Sequence, residues 1–130
     1  MKKLLLILLF VVCTLSAKSQ ARIGYTYNEI KTEFASNDIR DIPTDNGSRL
    51  LAYKLDKDVA IFYYFVGDKC NLTIIYTKLQ SVADDISRLY DKLYTVVNST
   101  IWKAESRKGT VYAIFNYNMK EDYYTFTWKN

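Results

Sequence analysis

Three short runs of strand-forming residues, separated by tight turns, constrain the fold of this chain more than any other feature. The middle run, residues 59–66 (VAIFYYFV), is apolar throughout, which is typical of a central strand covered on both faces. Residues 56–58 (DKD) separate it from a run at 49–55, and residues 67–69 (GDK) separate it from a run at 70–77. Connections this short join antiparallel neighbours, so the segment predicts an antiparallel meander.

Two helices follow from the hydrophobic periodicity on either side of these runs. Residues 26–36 predict a short helix in which Thr26 and Glu29 have the spacing of a capping box. Residues 82–97 predict a longer helix that begins after Ser81, with Asp84 at the corresponding box position. Val96 and Val97 complete the apolar stripe of that helix, so we expect the helix to extend to residue 97.

The rest of the chain supplies one loop and three more strands. Residues 37–48 hold the only proline and an Asp-Asn-Gly turn signal, and they predict a long polar loop. Strands are predicted at residues 101–105, 110–117 and 123–129. The order helix, three strands, helix, three strands predicts an α+β fold, with a six-stranded antiparallel sheet and both helices packed on one face. This order looks like a doubled α-βββ unit, but the halves share no residue pattern, so a true repeat stays open.

Residues 1–19 have the three-part layout of a secretory signal peptide. A pair of lysines precedes an apolar run at residues 4–12, and the small residues Ala17 and Ser19 favour cleavage after Ser19. The apolar run is shorter than the roughly 20 residues that a helix needs to cross a bilayer. The sequence therefore predicts an exported protein.

Two alternatives to a cleaved leader are open. One is a retained N-terminal anchor, and the other is lipidation at Cys13, although Val12 is larger than the residue that should precede such a site. With cleavage, residues 20–130 form a single α+β domain. We expect that domain in the bacterial periplasm or outside the cell, with no insertion into the membrane.

The net charge of +4, from 18 basic and 14 acidic residues, comes mostly from the leader. Lys2, Lys3 and Lys18 leave with it, so 15 basic and 14 acidic residues remain, a net charge of +1. Residues 20–130 contain no run of Lys or Arg. Nucleic-acid binding calls for a clustered basic surface, so we expect no nucleic-acid partner.

Cys70 is the only cysteine left after cleavage and has no partner in the chain. Strict alternation in residues 70–77 places Cys70 with Leu72, Ile74 and Tyr76 on one apolar face, which we expect the helices to cover. In that position the thiol acts as a small, inert hydrophobic group. The alternative is a reactive thiol or an intermolecular disulfide, which needs exposure and a nearby cation.

The chain lacks the residues that most catalytic mechanisms require. The chain has no histidine, which excludes Ser-His and Cys-His nucleophile pairs and imidazole metal sites. It has no CxxC pair, and its four glycines are too far apart for a phosphate-binding loop. We therefore expect no catalytic residue, no metal and no cofactor.

Carboxylates are the remaining candidates for catalysis or cation binding. They fall into three groups, and helix or turn preference explains each of them. None of the groups has the spacing of a known site. The groups are Glu29 with Glu33, Asp56 with Asp58, and the loop residues Asp38, Asp41, Asp45 and Asn46.

Tyrosine is unusually abundant, with 12 residues in the chain. If Tyr124, Phe126 and Trp128 point into the core, their neighbours point outward and give the uncovered sheet face a Tyr/Thr/Asn surface. Tyrosine offers a large contact area at low entropic cost, although Tyr and Thr are also simply good strand formers. The predicted binding face consists of Asn71, Thr73, Ile75, Tyr112, Asn116, Tyr123, Thr125 and Thr127.

Residues 23–30 (IGYTYNEI) resemble the Ile-Gly-x-Thr-x-x-Glu-Ile opening of small exported bacterial α+β domains. These include the outer-membrane assembly lipoprotein group and the β-lactamase-inhibitor-like group, and residues 20–130 as a whole look like secreted proteins of Bacteroidota-type bacteria. The chain lacks a convincing lipidation cysteine, which the first group has, and it lacks the disulfide pair of the second group. The resemblance implies export and a binding role, and it supplies no active site.

These observations lead to one main functional hypothesis. It is an exported, non-enzymatic binding module that takes a protein or glycan partner on its uncovered sheet face. The alternatives are a small enzyme that uses carboxylates or tyrosine, and a structural accessory of the cell envelope.

Overall fold

The computed structural model describes residues 22–34, 39–45 and 48–130. The predicted leader at residues 1–19 lies outside the described residues. Within the described ranges, no helix has the length and apolar character needed to cross a membrane. The elements are α1 (Tyr27–Glu33), β1 (Ile39–Pro43), β2 (Arg49–Asp56), β3 (Val59–Val66), β4 (Lys69–Thr77), α2 (Gln80–Leu93), β5 (Thr95–Asn98), β6 (Ile101–Ser106), β7 (Gly109–Asn118) and β8 (Tyr123–Lys129).

All eight strands form one sheet in the order β1-β2-β3-β4-β8-β7-β6-β5, and every described pair of neighbours is antiparallel. Each half of the sheet is a four-strand meander preceded by a helix, and the halves meet where β4 pairs with β8. The α+β class is right in outline. The six-stranded sheet and the α-βββ unit are wrong, because the sheet has eight strands and each unit is one helix followed by four strands.

The two strands that the sequence did not predict are the edge strands. β1 lies within the stretch predicted as a polar loop, where Pro43 occupies the last position and an edge strand tolerates its missing N–H. β5 lies within the predicted long helix, which ends at Leu93 because Tyr94 has an extended backbone. Residues 95–97 are β-branched and therefore favour a strand. Because β6 is available as a pairing partner, they form β5 and do not continue the helix that the apolar stripe predicts.

The two helices begin differently from each other. α1 has the predicted capping box, in which the Thr26 hydroxyl accepts from the Glu29 amide and the Glu29 carboxylate accepts from the Thr26 amide. α2 begins earlier than predicted, and its N-cap is Leu79, which has no side-chain cap. The prediction of Ser81 as N-cap is therefore wrong.

Both helices pack on the same face of the sheet, which we call the covered face. Tyr27 of α1 meets the Phe65 ring edge-on at 5.5 Å, and Phe34, the C-cap residue of α1, stacks on Tyr53 at 4.4 Å. In α2, the Tyr90 ring centre lies 5.4 Å from the ring centres of three fully buried residues. Those residues are Trp102, Phe126 and Trp128. Two aromatic clusters on one face therefore form the core.

A bulge at the start of β4 reverses the predicted sidedness of that strand. Phe65 pairs with Cys70, but the preceding Tyr64 pairs with Leu72, so Asn71 is an extra residue in β4. After the bulge, Thr73, Ile75 and Thr77 lie on the covered face and are at most 2% exposed. Leu72, Ile74 and Tyr76 therefore lie on the opposite face, and the prediction that they share the face of Cys70 is wrong.

Cys70 itself is buried, as predicted, because it precedes the bulge and keeps the covered-face position opposite Phe65. Its sulfur lies 3.4 Å from the Thr73 hydroxyl oxygen. Burial raises the pKa of the thiol, which keeps it protonated and unreactive at neutral pH.

Candidate binding face

The sheet face opposite the two helices, which we call the open face, is the main candidate for a binding surface. Strand register decides which residues it carries, because side chains alternate along each strand. At its centre is a group of nine residues from β4, β8 and β7 that we call the central grid. Its three cross-strand rows are Leu72, Lys129 and Tyr112; Ile74, Thr127 and Ile114; and Tyr76, Thr125 and Asn116.

The central grid presents aliphatic and aromatic groups that no described helix covers. Leu72, Ile74 and Ile114 are half-buried, because they are shielded only by their neighbours in the sheet. Tyr112 is 37% exposed, and Tyr76 packs against Tyr123 with 5.0 Å between ring centres. The apolar and aromatic groups of the grid lie on β4 and β7, on either side of the polar residues Lys129, Thr127 and Thr125 of β8. An uncovered surface that mixes aromatic, aliphatic and polar groups is typical of a protein–protein interface.

Charge is distributed unequally between the two sides of the molecule. Strand alternation and pairing place five basic residues and one acidic residue on the open face of the described strands. By contrast, α1 and α2 on the covered side hold five acidic and three basic residues. The open face therefore favours a negatively charged ligand. Its charged residues are Arg40, Lys54, Lys69, Lys103, Lys129 and Glu105.

One end of the open face is concave, and we call this hollow the end cleft. Its volume is about 550 Å³, within the range of small-molecule sites. In each of two neighbouring cross-strand rows, an alanine lies between a basic residue and an aromatic residue. The rows are Arg40, Ala52 and Phe62, and Lys54, Ala60 and Tyr76.

The structure separates the eight residues of the predicted binding face. Tyr112, Asn116, Thr125 and Thr127 belong to the central grid, and Tyr123 lies beside it. Thr73 and Ile75 lie in the core on the covered face, at 1% and 2% exposure. Asn71 is the half-buried extra residue of the bulge. The physical reason for the misplacement of Thr73 and Ile75 is the bulge, which shifts the alternation by one residue.

Sequence reasoning missed the apolar part of the open face. The sequence predicts Leu72 and Ile74 on the covered face and Phe62 in a strand covered on both faces, yet their register places all three on the open face. The only sequence signal was the continuous apolar run at residues 59–66, which predicted a strand covered on both faces. In the structure, Phe62 and Tyr64 from that run lie on the side that the helices leave uncovered.

A buried polar cluster lies beneath α1, away from the open face. Arg22 is 2% exposed, and its Nε and Nη2 donate to the two carboxylate oxygens of Glu33 at 2.7 and 2.5 Å. Its guanidinium also lies 4.8 Å from the centre of the Phe34 ring. Nearby, the Tyr63 hydroxyl is buried without a hydrogen-bond partner among the described residues, and burial raises its pKa.

Three of the candidate carboxylates have structural partners, whereas Asp38 and Asn46 lie outside the described residues. Glu33 pairs with Arg22, and Glu29 caps α1 and accepts from Arg107 at 2.6 Å. Asp41 accepts a hydrogen bond from Tyr27. Asp56 and Asp58 flank the β2–β3 turn at the rim of the end cleft. In the described ranges, no three His, Cys, Asp or Glu residues come together in a group that could hold a metal ion.

Comparison with known proteins found no matching family model, no matching curated protein and no matching solved structure. The geometry of the open face is therefore the basis for a functional proposal.

Proposed function

We propose that this chain is an exported, non-enzymatic binding module whose open face docks a partner protein. The observation that carries the proposal is the central grid, a surface of aliphatic, aromatic and polar side chains at the middle of the sheet that neither described helix covers. Covering such side chains removes apolar area from water and favours association by about 25 cal/mol per Å².

The charge of the open face indicates the kind of partner. Lys129 lies within the central grid, and Lys103 is paired with Tyr112 beside it. A protein surface with apolar side chains and a net negative charge complements both features, because opposite charges speed association and orient the partner. A glycan fits less well, since it leaves the aliphatic side chains Leu72, Ile74 and Ile114 without an apolar partner.

Two further parts of the proposal rest on sequence rather than on the open face. Export rests on the signal-peptide layout of residues 1–19. The absence of catalysis rests on the missing histidine and on the structural partners of Glu29, Glu33 and Asp41. N-terminal sequencing of the protein recovered outside the cytoplasm tests the first part, and a start at Gln20 is the expected result.

Site-specific crosslinking tests the docking surface. A photoreactive phenylalanine analogue is placed at Tyr112 in the central grid or at Met119, which is 82% exposed in the β7–β8 turn. The protein is then irradiated in an extract of the source organism. We expect one protein to be crosslinked from position 112 and not from position 119, and its contact segment to be apolar and acidic when mapped by mass spectrometry.

A matched pair of variants decides whether the contact is specific. Ile114→Asp places a charge in the central grid, and Met119→Asp places the same charge outside it. We expect the first to abolish the crosslink from position 112 and the second to leave it unchanged. A crosslink that survives Ile114→Asp overturns the proposal, as does sedimentation showing that a second copy of this chain is the species bound through the grid.

A further inference from the structure

The end cleft is separate from the central grid and has its own construction. Alanines at two diagonal positions, Ala52 and Ala60, leave the sheet surface low between longer side chains. Along each row, the basic residue and the aromatic residue lie two strands apart, which corresponds to about 10 Å. This width admits an alkyl chain or an aromatic ring lying along the two alanines.

The two sides of the hollow differ in chemistry. Arg40 and Lys54 form a basic wall on β1 and β2, whereas Phe62 and Tyr76 form an aromatic wall on β3 and β4. The floor and aromatic wall favour an apolar group because they are only half-buried without a ligand. The basic wall favours an anionic group at one edge of that apolar body.

Charged residues at the rim leave a net positive charge in the hollow. Lys57 and Lys78 add two positive charges to the basic wall, and Asp56 and Asp58 add two negative charges. The lining therefore has a net charge of +2, from four basic and two acidic residues. A ligand with one negative charge reduces this repulsion, whereas a cationic ligand increases it.

We propose that the end cleft binds a small amphipathic carboxylate, with its alkyl or aryl body over Ala52 and Ala60 and its carboxylate at Lys54. This inference goes beyond the proposed function, since it concerns a free small molecule and residues outside the central grid except for Tyr76. The same chemistry also occurs in anionic membrane lipids, and of the two sources the cleft volume of about 550 Å³, which is in the size range of small-molecule sites, favours the free molecule.

Titration with four probes tests the ligand class. Dodecanoate, dodecanol, dodecyltrimethylammonium and acetate are added below micelle-forming concentrations to the ¹⁵N-labelled protein, and amide shifts are followed. We expect saturable shifts centred on Ala52 and Ala60 with dodecanoate, affinity about tenfold weaker with dodecanol because a charge-assisted contact is lost, and no saturable binding with the other two probes. Equal binding of the cationic probe overturns the proposal, as do shifts centred on the central grid.

Three variants locate the site. Ala60→Leu fills the hollow and is expected to weaken dodecanoate binding at least tenfold, and Lys54→Gln is expected to weaken it about tenfold. Lys103→Gln removes a charge from the same face at the opposite end of the sheet and should leave the affinity unchanged. Lys54 is exposed, so Lys54→Gln tests the proposal even if Ala60→Leu does not fold. Unchanged affinity in Lys54→Gln overturns the proposal.

Vesicles separate the two sources of the ligand. Phosphatidylglycerol vesicles are sedimented with the wild-type protein and with Lys54→Gln. We expect no Lys54-dependent co-sedimentation, and vesicle binding without dodecanoate binding overturns the assignment to a free carboxylate. Neither result affects the Tyr112 crosslink, so this inference and the proposed docking function fail separately.

Discussion

At the scale of single residues, Tyr63 carries the clearest energetic cost in the core. Its hydroxyl is buried beneath Phe34 and has no hydrogen-bond partner among the described residues. Burying a hydroxyl without a partner costs about 1–3 kcal/mol. The ring packs in the core and stabilises it, so only the hydroxyl oxygen carries the energetic cost.

We therefore expect Tyr63→Phe to raise the free energy of unfolding by about 1 kcal/mol. The matched control is Tyr90→Phe, which removes a hydroxyl that accepts from Trp128 Nε1 at 3.1 Å. Loss of that acceptor should lower the free energy of unfolding by about 1 kcal/mol. Urea denaturation measures both, and a destabilised Tyr63→Phe contradicts the prediction.

Buried tyrosine side chains and the buried thiol also determine how the free energy of unfolding changes with pH. Burial raises the pKa of Tyr63 and of the Cys70 thiol, and the hydrogen bond to Asp41, followed by burial, raises the pKa of Tyr27. The folded state thus binds these protons more tightly than the unfolded state. These groups contribute to the free energy of unfolding. The contribution is fully present below the pKa values that the groups have in the unfolded chain, near 8.5 for Cys and 10 for Tyr, and it is lost as the pH rises above those values.

We expect the free energy of unfolding to fall as pH rises from about 8.5 to 11. Thermal melts across this range should show a shallower fall in Tyr63→Phe than in the wild-type protein. A wild-type melting temperature that is constant up to pH 11 would contradict the prediction.

At the scale of elements, the two helices differ in how much a single side chain at the N-terminus contributes to the free energy of unfolding. Thr26→Ala removes the capping box of α1 and should cost about 1 kcal/mol of unfolding free energy. Ser81→Ala should change it by less than about 0.5 kcal/mol, because Ser81 lies inside α2 rather than at its cap. Urea denaturation compares the two, and equal losses would show that α2 begins at Ser81 after all.

Element boundaries also show where local sequence is sufficient and where it is not. Thr26 and Glu29 were enough to locate α1, since a capping box is made within one turn of chain. Val96 and Val97 continued the stripe of α2 in sequence, yet each is 51% exposed in β5. These two valines lie in a strand because β5 pairs with β6, and a periodic pattern within the segment itself does not indicate that pairing.

At the scale of the whole molecule, contacts between the two halves should make unfolding cooperative. The halves share the β4–β8 pairing. The segment before α1 also bridges them, because the Gly24 amide donates to Cys70 in β4 while Arg107 of the β6–β7 turn lies 3.6 Å from the centre of the Tyr25 ring. Gly24 has a φ of +89°, and a Cβ there would lie 3.0 Å from the Arg107 Cβ, so this close approach requires glycine.

We expect the two halves to unfold in one transition. Trp102 and Trp128 report on the second half by fluorescence, and Cys70 reports on the first half by its labelling with Ellman's reagent. Both signals should change at the same guanidinium concentration, with no fast labelling of the native protein. Labelling of Cys70 at a lower guanidinium concentration would show that the first half opens alone.

The sequence by itself determined the features that are made within one segment: the α1 cap, six strand cores, the burial of Cys70 and the absence of histidine chemistry. Tertiary structure decided the edge strands β1 and β5 and the side to which each β4 residue after Asn71 points. The physical reason is that a strand obtains its hydrogen bonds from a neighbour, and a one-residue bulge at Asn71 exchanges the two faces without changing the local pattern. The open face and its end cleft therefore became visible only once the strands were paired.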